Sequence, residues 1–513
     1  MVWRRQLRAH EAQRHRAYLQ ALRRGQEQGA LGGALEGARG HRQGGHRGSQ
    51  AGGQLALATA GLARGLHVEP GELDSPDKRA GYTVCVVGLN RLGLSSACLW
   101  AKASFRVLGA DVNAAVISAV RAGRLPFDEP GLHKLLVNAL KANRLKLSSD
   151  VRRAVSQADF VVITALVPLG GRGKPDYGPL IRACREVGFG LKCGTLVLVQ
   201  GLVAPGTTEG LLKNELEETS GLKAGRDFGL AFSPVVPANG RFLEALANSP
   251  RILGAVDSQS LRAAKAFLQA VGKAGVVEAS GIKVAEAAGL FKAVRLEVLW
   301  ALANELALFS EKAGVDLAEA IGLANLDDLP GPGPSCGLDA SYILLDKAEE
   351  LGVRLRLVGE MSRVSEDVVK HALKLVREAL RECGKSLRRA KVVVLGASRG
   401  ANLKDPEAPV VSSIIRALRE RCRQLFVYDP YFTRAELEAL DYPAAPSLAE
   451  ALEGADCLLI TAGHAKFREL DLRALRGLMA DKAAVVDLSA VVEPGRVKEL
   501  GLAYRGLGRA CRP

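Results

Sequence analysis

Aromatic residues are scarce in this chain of 513 residues: Phe, Trp and Tyr make up 5%. Single-stranded nucleic acid stacks on such rings, so it is not expected as a partner. Cysteine is sparse as well. The nine cysteines are irregularly spaced and form no CxxC pair. That argues against a disulfide framework or a zinc ribbon, and for mostly buried thiols in a reducing, cytoplasmic compartment. No metal site is expected. No window holds 18 uninterrupted apolar residues, so no membrane-spanning helix is expected. Hydrophobic residues still make up 48% and charged residues 24%, which excludes wholesale disorder. The length calls for two or three domains.

Acidic residues are lacking at one end. Residues 1–50 hold ten Arg, no Lys, three Glu and no Asp, and so carry +7 of the formal +15. A globally basic chain would suggest anionic partners, but here much of the charge belongs to one atypical leader. Residues 29–53 are rich in Gly, Arg and Gln without apolar periodicity, and read as disordered. Three readings of this extension stay open: a disordered tail, an artefactual upstream extension, and a targeting or anion-binding segment. It has no apolar stretch of the secretory kind, so export is not expected.

Order is expected to begin near Tyr82. Residues 82–112 read as strand, Gly turn, helix, strand. Further apolar strands are expected within 159–167, 194–203, 228–235, 250–256 and 274–279, with helices between several of them. Such alternation builds a parallel sheet covered on both faces. Residues 282–314 read as one long helix, residues 329–341 as a Pro/Gly loop, and residues 342–384 as helical. A second α/β unit begins at Lys391-Val-Val-Val-Leu-Gly396. The expected fold class is therefore α/β: two Rossmann-like doubly wound domains joined by a long central helix, behind a disordered basic extension. The expected divisions are 1–80, 81–281, 282–385 and 386–513.

Gly88-Leu-Asn-Arg-Leu-Gly93 lies between a β-branched strand and a helix, and Asp111 ends the next strand. This is the layout of a dinucleotide site. Gly88 makes the turn, and the helix start at Leu89, Arg91, Leu92 and Gly93 offers N–H groups to a pyrophosphate. Asp111 would take ribose hydroxyls and favour NAD. Asn90 stands where the middle Gly of GxGxxG would be. It is expected to need a positive φ and to weaken NAD binding, with Arg91 supplying compensating charge.

Other motifs follow in a familiar order: Glu129-Pro-Gly-Leu132, Gly173-Lys-Pro-Asp176, Pro205-Gly-Thr-Thr-Glu209, Ala301-Leu-Ala-Asn-Glu-Leu-Ala307, Pro330-Gly-Pro-Gly333 before Cys336 and Asp339, and Val427-Tyr-Asp-Pro-Tyr431. With these, residues 82–490 resemble the UDP-glucose/GDP-mannose dehydrogenase family, especially its UDP-N-acetylmannosamine type. The resemblance implies an NAD domain, a central dimer helix, a loop with a catalytic Cys, and a nucleotide-sugar domain. It implies oxidation of a sugar CH2OH to a carboxylate by two hydride transfers to NAD, through a thiohemiacetal and a thioester. Cys336 matches the family's nucleophile, and Asp339 the acid shortly after it. A UDP-sugar and a second copy of the chain are the implied partners.

The departures fall on the chemistry. The family's Ser-Pro-Glu reads Ser233-Pro-Val235. The helix positions of its Lys and Asn read Gly289 and Ala293, with Lys292 nearby. The Cys loop is shortened and its His is replaced by Ser335. Arg-Glu-Ser-Pro reads Pro406-Glu-Ala-Pro409, and Val-Pro-Thr-Pro reads Ala165-Leu-Val-Pro168. Two functions are therefore expected as alternatives: a divergent NAD-linked oxidoreductase working through Cys336, or a catalytically silent homologue that binds nucleotide or tunes an active paralogue. Cys85 and Cys98 read as core, His464 as part of a loop, and Trp300 as a packing or dimer residue.

Overall fold

The computed structural model describes residues 63–509, apart from residues 70, 171–172, 238–240, 335–338 and 407. The Arg-rich extension up to residue 62, Cys336 and Glu407 lie outside the described residues.

Short runs of β-branched and aliphatic residues form the strands. β1 (Thr83–Val87), β4 (Phe160–Ile163) and β5 (Leu196–Val199) are buried on both faces, as strands inside a doubly covered sheet must be. With β2 (Arg106–Ala110), β3 (Leu145–Ser148), β6 (Gly229–Phe232), β7 (Arg251–Ala255) and β8 (Val276–Glu278) they make an eight-stranded sheet in the order β3-β2-β1-β4-β5-β6-β7-β8. All neighbours are parallel except β6 and β7. The second sheet holds β9 (Lys391–Leu395), β10 (Gln424–Tyr428), β11 (Cys457–Ile460), β12 (Ala484–Asp487) and β13 (Ala503–Gly506), all parallel, in the order β10-β9-β11-β12-β13. The two doubly wound domains expected from the sequence are thus present. The antiparallel pair β6/β7 departs from the all-parallel expectation.

Four helices matter for the site. α1 (Arg91–Lys102) follows the Gly turn. α2 (Ile282–Ala313) is the single long helix that joins the two sheets. The helical stretch expected over 342–384 is two helices, α3 (Asp339–Glu350) and α4 (Arg356–Glu382). Between them the chain turns at Gly352, with φ +68°.

Order does not wait until Tyr82. Ala63, Leu66 and Leu73 are buried, and the Ala63 N–H donates to Cys193 O at 2.9 Å. Residues 63–81 therefore belong to the first domain, not to the extension. Much of the chain's small aromatic content sits in that domain's core. Phe267 stacks on Trp100 at 3.9 Å and on Phe160 at 4.2 Å between ring centroids. Each such pair contributes about 0.5–1.5 kcal/mol beyond its buried area. Cys85 and Cys98 are fully buried, and burial pushes both thiols up to about 12, as inert core cysteines.

The two sheets repeat one local design. Asp159-Phe-Val-Val-Ile-Thr164-Ala165 has a counterpart in Asp456-Cys-Leu-Leu-Ile-Thr461-Ala462. Each Asp accepts the N–H that opens the neighbouring strand, Thr83 at 2.9 Å and Lys391 at 2.7 Å. Each Thr hydroxyl donates to a turn glycine carbonyl, Gly88 at 2.6 Å and Gly396 at 2.7 Å. The N–H after each glycine donates to the aspartate ending the next strand: Leu89 to Asp111 at 2.7 Å, Ala397 to Asp429 at 2.8 Å.

Candidate active site

The turn after β1 lies where the strand order of the first sheet reverses, between β1 and β4, the place where open α/β sheets bind ligands. Gly88 adopts φ +94° and packs against Thr164. A Cβ on Gly93 would overlap Gly88 O, so helix and turn can meet this closely only at a glycine. Asp111 is half-buried. Its Oδ2 accepts from Leu89 N and its Oδ1 from Asn113 N at 2.8 Å. Gly88, Leu89, Gly93 and Asp111 thus converge. Leu92 turns away into an apolar cluster with Leu99 and Val235.

Two expectations at this turn are corrected. Asn90 has φ −70°, not a positive φ, because it is the N-cap of α1 rather than a stand-in for glycine. Its Oδ1 accepts from Gly93 N at 3.0 Å and its Nδ2 donates to Thr164 O at 2.6 Å. Asn is among the best N-cap residues. Arg91 does not hold its charge over the turn. Its guanidinium reaches the second domain, donating to Lys404 O at 2.7 Å and lying 3.4 Å from Asp405, with Glu129 at 3.9 Å behind it. The residues present fit a dinucleotide. The turn is cleared of side chains at two glycines, Asn90 spends its amide on protein partners, and Asp111 stands at the strand end.

Asp339 opens α3 and is held by Arg399 at 3.0 Å. Arg399 also lies 4.0 Å from Asp405. An alternating series of charges, Glu129, Arg91, Asp405, Arg399 and Asp339, therefore runs from the cofactor turn through the second domain to the helix that follows the Cys loop.

Val235, Gly289 and the nearby Lys292 line one small open cleft, together with Pro234, Ser249 and Arg251. Val235 is buried against Leu92 and Leu246. A Cβ on Gly289 would come within 2.5 Å of the Pro234 ring. Ala293 is buried with Leu290, Val294 and Ala340. Lys292 is exposed and makes no ion pair among the described residues. Arg251 is buried, and its Nη2 donates to Ser233 Oγ at 3.0 Å. Its Nε has no acceptor, and burial alone pulls its basicity down to about 10.

Two residues near the chemistry were not singled out by their sequence context. Arg251 opens β7, where the sequence reads only as a strand. Glu297 lies eight residues after Gly289 on α2, a little over two turns further along the helix. Its carboxylate accepts the N–H groups of Ala340 at 3.1 Å and Ser341 at 2.9 Å and the Ser341 hydroxyl. Desolvation raises its pKa to about 7. His464, read as loop structure, is fully buried, with Nε2 3.1 Å from Asp429 Oδ2 and Nδ1 accepting from Asn402 N at 2.8 Å.

Fold and turn define a two-domain dinucleotide-binding α/β protein. Comparison with known proteins narrows this. The profile of the UDP-glucose/GDP-mannose dehydrogenase family NAD binding domain matches residues 82–271, and that of the family's UDP binding domain matches residues 393–494. A UDP-N-acetyl-D-mannosamine dehydrogenase of Pyrococcus horikoshii is 28% identical over 433 residues, covering 83% of this chain and 99% of the relative. A solved structure of UDP-D-ManNAc dehydrogenase from the same organism superposes with a TM-score of 0.74 at 28% identity, covering 83% of this chain and 99% of that one. A UDP-glucose dehydrogenase structure from Pyrobaculum islandicum gives 0.74 at 26% identity, over 84% and 98%. The chain belongs to the UDP-glucose/GDP-mannose dehydrogenase family of NAD-linked oxidoreductases. No helix among the described residues is long and apolar enough to cross a membrane.

Proposed function

We propose that this chain binds NAD at the Gly88 turn and a UDP-sugar through its second domain, and that C6 oxidation to the carboxylate is reduced or lost. The two ligands fall to residues 81–281 and 386–513, around the helical region 282–385. One observation carries the reading. Gly289, where the resemblance expects a lysine, is pressed against Pro234, with no room for even a Cβ at ordinary contact distance. The valine at 235 is likewise packed into apolar surroundings. A missing acid–base group and a missing oxyanion donor each cost roughly 10²–10⁴-fold in rate. Cys336 would then be a nucleophile without its partners, and Asp339 is already engaged by Arg399. NAD affinity falls below that of a three-glycine turn, because Asn90 takes the Gly93 N–H that a pyrophosphate would otherwise use.

The protein works in the cytoplasm as a homodimer, or paired with an active paralogue, through the central helix. Phe291 and Phe309 on α2 are 58% and 69% exposed, as a helix awaiting a partner would have them. The test is the full chain with NAD and a panel of UDP-sugars. Binding without NADH formation is expected. NADH formation that disappears in Cys336→Ala would overturn the reading. Glu297 favours a second reading, a slow oxidoreductase in which a carboxyl from α2 replaces the absent base. Its buried carboxyl sits at the start of α3, whose first residue is the third after Cys336.

A further inference from the structure

Arg251 is a buried cation with no carboxylate partner. It makes no ion pair among the described residues, its Nε finds no acceptor, and Ser233 alone accepts from its Nη2. Burying a guanidinium in this way is costly. The residue lines the cleft with Val235, and Lys292 adds a second cation on the same cleft. By the resemblance, the carboxylate of the family's Ser-Pro-Glu would stand at 235. The cleft therefore keeps two positive charges and lacks the negative one. A neutral sugar hydroxymethyl gains little from such a field. A carboxylate at the same carbon would supply the missing anion.

We infer that the cleft is selective for the acid form of its nucleotide-sugar, a UDP-uronate, over the neutral alcohol. This rests on the reading that the chain holds a UDP-sugar, with the resemblance to the family's Ser-Pro-Glu implying that the sugar end lies toward Val235. The chain would then be a receptor for the product class of the family's chemistry. Lys292 and Arg251 are its specificity-determining residues, and no bond is made or broken.

The experiment is calorimetry of the full chain with UDP-glucuronic acid, UDP-glucose and UDP at low ionic strength. The acid is expected to bind about tenfold or more tighter than the other two, a difference of ~1.4 kcal/mol or more. Lys292→Ala, at an exposed position, should cut that preference several-fold, lowering affinity for the acid more than affinity for UDP. Val235→Glu should abolish the preference by giving Arg251 an internal counter-ion, with circular dichroism checking its fold. Equal affinity for acid and alcohol, equal affinity for acid and UDP, or a preference that survives Val235→Glu would overturn the inference alone. Failure of all three nucleotides to bind would sink the UDP-sugar reading along with it.

Discussion

A carboxyl group out of water resists ionisation, and Glu297 shows how far that goes when three donors face it. Burial is the largest influence and raises its pKa from 4.5 to about 7, against the hydrogen bonds from Ser341 and Ala340, while the charge of Asp339 pushes the same way as burial. The sign of the consequence is fixed. Between these two values the folded state keeps the proton and the unfolded chain has lost it. Stability must therefore fall as pH rises through that window. Glu297→Gln cannot ionise, so its urea midpoint should fall less than that of the parent between pH 5 and pH 8. Parallel profiles would mean that the carboxyl titrates in its ordinary range.

Along α2 a set of polar side chains, buried or partly buried, falls nearly on one line. Glu286, Glu297, Asn304 and Glu311 are 11, 7 and 7 residues apart, spacings within about 20° of whole turns. Each pins a distant segment. Glu286 accepts from Gly206 N at 2.5 Å and Thr208 N at 2.7 Å. Glu297 holds the start of α3. Asn304 bonds Gly333 through both its N–H, at 2.8 Å, and its carbonyl. Glu311 accepts from Gly508 N at 2.9 Å and faces His371 at 2.7 Å. Asn304→Ala would leave the buried Gly333 N–H without an acceptor, a loss of about 1–3 kcal/mol, readable as a lowered midpoint in thermal unfolding. The span of α2 was legible in the sequence because 32 helix-compatible residues run without a break. Its clamps were not, because each partner is remote in sequence. Strands with β-branched runs such as Thr83–Val87 could be read directly. The edge strands Leu145–Ser148 and Ala503–Gly506 could not, having few such residues. Asn90 occupies the middle-glycine place of the Gly88–Gly93 spacing, and spacing alone does not separate a glycine stand-in from the N-cap that its side chain makes in the fold.

At the scale of the whole molecule, the two domains meet at the residue that opens the cofactor helix. Arg91 has 12% of its side chain exposed and Asp405 18%, so their attraction is little screened by water or salt. Pairs at 3.4–4.0 Å are weak singly, but the 2.7 Å bond from Arg91 to Lys404 O fixes the guanidinium in the junction. If that is its work, Arg91→Ala should cost about 1–3 kcal/mol of stability, seen as a lower denaturant midpoint. NAD affinity should change less than about threefold, because a pyrophosphate at the helix start is met by backbone N–H groups rather than by this side chain. The opposite pattern, intact stability with affinity lost more than tenfold, would show that Arg91 turns back to the cofactor. Calorimetry with NAD and urea unfolding on the same preparation separate the two outcomes, because one variant cannot satisfy both.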